Sequence, residues 1–327
     1  MGKSMQDQYQ RKIEYLRISI TDRCNLRCQY CMPAEGVQWI PHDSILTFEE
    51  ILRVMQISTS LGFKRFRITG GEPLVRAGVL EFLQKASQIP GVEDLMITTN
   101  GLLLPEMAGD LKKAGVSRVN ISLDTFHPEK FKEITRGGDV KKVIEGIHRS
   151  LEVGLHPVKL NVVVVRDLNT HELPRFMELA RDYPLHVRFI ELMPIGVSSD
   201  KRNEFVSIDE MKERLGLEGL KPTHDIRGGG PAEYITSDGF KGSIGFISAL
   251  SKHFCNTCNR VRLTPDGKLR LCLHSAKELD FRSLLRSNKS DEEVKQALAE
   301  AIWHKPAEHH MNDEAWQGQR IMSQIGG

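Results

Sequence analysis

Long apolar runs are missing from this chain of 327 residues. The longest, four valines at 162–165, has the length of a strand, so no stretch reads as a membrane-spanning helix. The first twelve residues, MGKSMQDQYQRK, are polar and lack the apolar core of a secretion signal. A cytoplasmic protein with no membrane partner is expected. Charge of one sign is not in excess either: 45 Lys and Arg stand against 43 Asp and Glu, a net of +2. That balance excludes the broad electropositive surface of a general nucleic-acid binder, so any anion site must come from a local basic cluster. Internal repeats and low-complexity tracts are absent. So is a fourth cysteine in either of two cysteine clusters. All six cysteines fall into two triplets, at 24, 28 and 31 and at 255, 258 and 272. In a reducing compartment such clusters point to metal ligands rather than disulfides.

What is present is a rhythm. Strand-like apolar runs at 15–20, 65–69, 94–98, 118–122, 158–165 and 186–192 alternate with amphipathic stretches at 47–61, 75–87, 103–114, 140–153 and 170–181. Thr47 with Glu50 has the pattern of a capping box. Gly62, Gly91, Gly115 and Gly154 stand where helices should end. Six alternations predict parallel βα units. The unusual residues follow strand ends: the first cysteine loop, TGGEP, TTNG, SLDT and ELMP. Five decorated strands fit a ring of loops better than the single switch point of an open sheet. Six units are too few to close an eight-stranded barrel, so the expected class is α/β, an incomplete (β/α)6 TIM-type barrel. Past residue 196 the rhythm breaks. Two hairpins are expected, one turning at Asp238-Gly239 and one within RVRLTPDGKLRLCL, followed by helix over 276–305. This antiparallel-rich segment is expected to cover the open barrel, giving domains at 1–235 and 236–327.

Three close thiolates can hold three irons of a cubane cluster and leave the fourth for a non-protein ligand. The spacing of Cys24, Cys28 and Cys31 (C-x3-C-x2-C) suits that arrangement. A zinc site completed by a distant histidine and buried free cysteines are the other readings. For Cys255, Cys258 and Cys272, spaced C-x2-C-x13-C, a zinc knuckle completed by His253 or His274 stands beside a cluster. Strand alternation adds a separate observation. Arg17 shares a face with Ser19, Arg65 and Arg67 with Thr69, Lys159 with Asn161 and His186 with Arg188, while the opposite faces are mostly apolar. Helices outside a barrel need the apolar faces, so the basic ones should point inward. Buried cations require an anion, and a triphosphate would match several Arg and Lys donors. The alternative is that some of these strands are edges and their cations solvated.

The segment from Cys24 to Cys31 resembles the signature of the radical S-adenosylmethionine (SAM) superfamily, and Gly70-Gly71-Glu72-Pro73 resembles its next motif. The sequence from Phe254 to Leu273 is similar to the C-terminal part of one member family, the GTP 3′,8-cyclases of molybdenum cofactor biosynthesis. The likeness runs nearly the whole chain, to the terminal Gly326 and Gly327. It implies two [4Fe–4S] clusters, one per triplet, each with an open iron, the first for SAM and the second for guanine. It implies SAM contacts at Tyr30, Gly71, Glu72, Ser122 and Met193. It implies GTP contacts at Arg17, Arg67, Thr98, Lys159, Arg260, Val261 and Arg262, to which the strand argument adds Arg188. The two terminal glycines would enter the site and support activity. The implied partners are GTP, an external electron donor and a downstream cyclic pyranopterin monophosphate synthase, with the chain a monomer or homodimer. The rivals are another radical SAM enzyme with an auxiliary cluster and a zinc-knuckle nucleic-acid-binding protein. His309-His310 could be a metal pair but reads first as a surface helix or loop.

Overall fold

The structure, a computed structural model, describes residues 5–199, 201–224, 226–228, 230–275, 277–311 and 320–326. Six strands form the parallel frame: β1 (Tyr15–Ser19), β2 (Arg65–Thr69), β3 (Asp94–Thr99), β4 (Arg118–Ser122), β5 (Val158–Val164) and β6 (Leu185–Glu191). The intervening helices are α1 (Phe48–Ser60), α2 (Val79–Ser87), α3 (Leu104–Lys113), α4 (Pro128–Thr135), α5 (Val140–Glu152) and α6 (Leu173–Asp182). The Thr47–Glu50 capping box is formed in both directions and starts α1. The second helix begins four residues later than its pattern, because Pro73–Val75 makes a separate 3-10 turn. Two helices stand outside the periodic stretches, α4 and α7 (Ile208–Leu215); α7 carries its own signal, the Ser207 side chain accepting from Glu210 N–H.

Alternation decides which face meets which neighbour. Leu16, Ile18, Phe66, Ile68, Leu160, Val162, Val187 and Phe189 belong to one apolar core with the helices. Losing Phe66 from that core would cost roughly 3–5 kcal/mol. The residues between them, Arg17, Arg67, Asn161 and Arg188, take the other face and line a cavity.

The sheet does not close. Beyond α7 come β7 (Lys221–Thr223), β8 (Glu233–Thr236), β9 (Ser243–Ile247), β10 (Arg260–Leu263), β11 (Lys268–Arg270) and β12 (Leu279–Asp280). The strand order is β12-β11-β10-β1-β2-β3-β4-β5-β6-β9-β8-β7. The two expected hairpins are there, β8 with β9 and β10 with β11, and each docks on a different edge of the frame. Their inner strands run parallel to the frame, β10 beside β1 and β9 beside β6. Alternation within hairpins gives no hint of this, since partners across a parallel edge are distant in sequence. The helical tail of the sequence reading is two helices, α8 (Phe281–Arg286) and α9 (Asp291–Trp303), split by a second capping box at Ser290 and Glu293. A last turn, α10 (Met322–Ile325), leads to Gly326. Among the described residues no helix is long and apolar enough to cross a membrane.

Candidate active site

The polar faces of the strands surround a cavity of about 280 Å³. One end holds the first triplet. Cys24, Cys28 and Cys31 lie in a tight loop after β1, whose turn is closed by Cys31 N–H and Met32 N–H donating to Cys28 O at 2.9 and 3.1 Å. Residues of α4 brace it: Gln29 N–H donates to Ile134 O and Arg27 N–H to Thr135 O. Burial pushes the Cys24 thiol up to about 11 and Cys28 to about 12, and holds Cys31 well above its ordinary value. The three also repel one another's charge. Thiolates in such a place require a cation, which an iron–sulfur cluster would supply. The donor set therefore fits that group.

Tyr30, Gly71, Ser122 and Met193 stand around the same end. The Tyr30 hydroxyl donates to the carboxylate of Asp124, which also accepts Val163 N–H at 2.8 Å. Burial raises the Asp124 carboxyl to about 6. Asp124 sits in the SLDT stretch, but the sequence reading gave it no role. Gly71 passes so close to the main chain of Arg23 that any side chain would collide with it, while Gly71 N–H donates to Thr21 O at 2.7 Å. Only glycine lets the two loops meet there. Glu72 lies outside the cavity lining. Its carboxylate accepts Leu74 N–H at 3.0 Å, Thr99 Oγ1–H at 2.9 Å and Asn100 N–H at 2.7 Å. It thus ties the GGEP loop to the TTNG loop, and burial raises it to about 7.

The same cavity is lined by several cations. Arg262, Arg17 and Arg67 stand in one row across β10, β1 and β2, and Arg188 stands on β6. Arg67 donates to Thr98 Oγ1 at 2.9 Å and bonds the Tyr15 hydroxyl. Arg188 is buried, and its Nε and Nη2 have no hydrogen-bond partner among the described residues. Nor do the side-chain oxygens of Asn120 and Asn161, which line the same space. Desolvation, then the neighbouring arginines, hold Arg17 well below its ordinary value; burial lowers Arg188 and Arg262 to about 10. Lys159 lies just behind the lining, its ammonium donating to Arg227 O at 2.8 Å. Burial, then the Arg188 charge, bring it down to about 6. So many desolvated cations match a polyanionic ligand. Val261, between Arg260 and Arg262, turns its side chain into the apolar core. Unanticipated from sequence, Arg118 is buried at the start of β4 and pairs with Asp94 at 2.6 Å.

The second triplet flanks the cavity through Phe254, Arg260 and Leu273, which line it. Cys255 and Cys258 share a turn in which Cys258 N–H donates to Cys255 O at 3.2 Å. Cys272 follows β11 and couples electrostatically to Cys255. Burial alone would raise Cys258, but Arg260 and Lys305 outweigh it and bring the thiol to about 7. His253, Cys255 and His309 place their ligating atoms within 4.8 Å of one another. His309 is therefore buried in this cluster rather than on the surface, its Nε2 donating to Ala249 O at 2.9 Å and standing 2.9 Å from His253 Nδ1, while His310 is exposed. The tail reaches the site as well. Gly326, at φ +86°, accepts from Arg262 at 3.1 Å, and a Cβ there would meet Ser19 and Thr69 at 2.8 Å. Gly327 lies outside the described residues.

Fold and site together define a radical SAM enzyme: residues 18–180 match the model described as Radical SAM superfamily, and residues 185–311 match Molybdenum Cofactor Synthesis C. Membership brings use of SAM and an iron–sulfur cluster. The chain belongs to the GTP 3′,8-cyclase family. It is 52% identical over 327 residues to the GTP 3′,8-cyclase of Heliobacterium modesticaldum, covering 99% of this chain and 100% of that one. It is 49% identical to that of Desulforamulus reducens and 50% identical to that of Pelotomaculum thermopropionicum, at the same coverage. The SAM-bound structure of Streptococcus suis SuiB has the same fold, with a TM-score of 0.63, 14% identity, and coverage of 89% of this chain and 68% of that one.

Proposed function

We propose that the chain cyclises GTP to 3′,8-cyclo-7,8-dihydro-GTP, the first step of molybdenum cofactor assembly, with a cluster on each cysteine triplet. The observation that carries this reading is one cavity lined by the first triplet, by Arg260 beside the second, and by the buried Arg188, whose Nε and Nη2 have no hydrogen-bond partner among the described residues. When bound, cluster and SAM supply a carbon radical able to take hydrogen from the C3′ position of the ribose. The residues of the chain do the rest. Cys24, Cys28 and Cys31 hold the first cluster and leave one iron for SAM; Tyr30, Gly71, Ser122 and Met193 surround SAM, with Glu72 fixing the loop beneath it. Arg17, Arg67, Arg188 and Arg262, with Thr98 and Lys159, hold the triphosphate. Arg260 and the main chain of Val261 face the nucleotide beside Cys255, Cys258 and Cys272, where the guanine would dock. Fixing both ends of GTP holds C3′ near the radical source and near C8, so that ring closure competes with quenching. Gly326 and Gly327 help exclude solvent. An external donor supplies electrons, and a cyclic pyranopterin monophosphate synthase takes the product.

Under anaerobic conditions with SAM and a strong reductant, 5′-deoxyadenosine formation should rise on adding GTP. Formation indifferent to GTP overturns the reading. A zinc site at the second triplet is the rival, favoured by the His253, Cys255 and His309 grouping. About eight irons per chain would exclude it, whereas one zinc and about four irons would establish it.

A further inference from the structure

We propose that Arg11 is a positioning residue for the second cysteine loop, holding it in the form that accepts a cluster; this rests on the two-cluster reading above. Residues 5–13 make a small hairpin, closed by Ile13 N–H to Met5 O at 2.9 Å and by a bridge between Gln6 and Lys12. Its turn is built around Asp7, which is 1% exposed. Asp7 Oδ1 accepts the main-chain N–H of Tyr9 at 2.9 Å and of Arg11 at 3.0 Å, and Oδ2 accepts Arg11 Nε–H at 2.6 Å. The four remaining guanidinium N–H groups go to four carbonyls. Nη1 donates to Cys255 O and Ala307 O, both at 2.8 Å. Nη2 donates to Pro306 O at 2.6 Å and to Lys305 O at 3.4 Å. All five donors are used, which a planar fork can do and an ammonium cannot.

The carbonyls are not arbitrary. Cys255 O is the acceptor that closes the Cys255–Cys258 turn, so Arg11 grips the group that sets the spacing of two thiols. The segment 305–307 leads to His309, whose imidazole lies within 4.8 Å of the Cys255 sulfur. Lys305 itself donates to Leu271 O, the residue before Cys272. One side chain therefore joins the segments that carry or abut all three thiols, across sequence separations of 244 and 296 residues. Bringing such distant segments together costs chain entropy, which a single fully satisfied buried guanidinium offsets.

The test uses the full chain, reconstituted anaerobically with iron and sulfide, as wild type, Arg11→Gln, Arg11→Lys and Asp7→Asn. Iron content, the electron paramagnetic resonance signals of the reduced protein, and the rate of iron release to a chelator are read. Arg11→Gln should keep the signal and about four irons of the first cluster and lose the rest, or release them at least about tenfold faster. Arg11→Lys should not rescue it. Asp7→Asn keeps the carbonyl contacts and should show a smaller acceleration in the same direction. If the folded variants hold both clusters at the wild-type release rate, or lose both in step, Arg11 has no such role. About four irons in the wild-type chain itself would overturn the two-cluster reading and the proposal together.

Discussion

The two cysteine triplets solve one problem in different ways. The first lies within eight residues, in a loop closed on itself and braced by α4. Its thiols are only partly exposed, and burial raises all three, with no cation among the leading causes acting on them. The second is assembled from a turn at 255–258 and a residue beyond a hairpin, and segments near both chain ends hold it. Arg260 and Lys305 already lower Cys258. A short-range site needs only a local loop; a long-range one needs a clamp and charge compensation from distant parts of the fold.

The sharpest way to break the comparison is to remove one thiol from each end. Cys28→Ser should reduce 5′-deoxyadenosine formation to background, with about four irons left. Cys258→Ser should leave SAM cleavage and abolish only the cyclised product. Chromatography of both products on the same samples decides it; equal loss of cleavage in the two variants would mean that the triplets are not functionally separate.

A step down in size, Arg188→Ala should weaken GTP binding about ten- to hundredfold, the worth of charge-assisted bonds in a buried site. Iron content should not change, and the nucleotide-free chain should melt higher, since a buried cation with unsatisfied donors is gone. Calorimetric titration under anaerobic conditions reads the first effect and thermal melting the second. Gly326→Val should lower cyclisation by about tenfold with both clusters in place, because a non-glycine residue at φ +86° costs of order 1–3 kcal/mol and its Cβ would meet Ser19 and Thr69. Turnover at saturating GTP measures it.

The smallest effect is one of pH. The folded chain releases the Lys159 proton near pH 6, whereas the unfolded chain holds it to about 10.5. Between pH 7 and 9 the unfolded chain therefore binds more protons at this site, and stability of the nucleotide-free protein rises with pH. Lys159→Met should flatten that slope, seen as a shift of a few degrees in Tm between the two pH values.

The first triplet, the six βα units and the inward basic faces were all legible, because each is a local pattern: spacing of thiols or period of hydrophobicity. Arg17, Arg67 and Arg188 fell on the cavity as strand alternation required. What sequence did not disclose is long-range. Nothing in RVRL says that it pairs in parallel with YLRI, some 245 residues earlier in the chain. Nothing in the polar N-terminal residues says that Arg11 reaches the second cysteine loop. Arg118 with Asp94, and the Glu72 carboxylate that ties two loops together instead of lining the cavity, depend on partners that only the folded sheet brings near.

The central claim is that the cavity between the triplets holds GTP with its C3′ hydrogen facing the radical source. GTP carrying deuterium at C3′ tests it most directly, with 5′-deoxyadenosine analysed by mass spectrometry. The account predicts one deuterium in the 5′-deoxyadenosine and a product isomeric with GTP that has lost the C3′ label, one electron from the external donor and one proton replacing the hydrogen removed. Deoxyadenosine formed without label, while GTP is consumed, would contradict it.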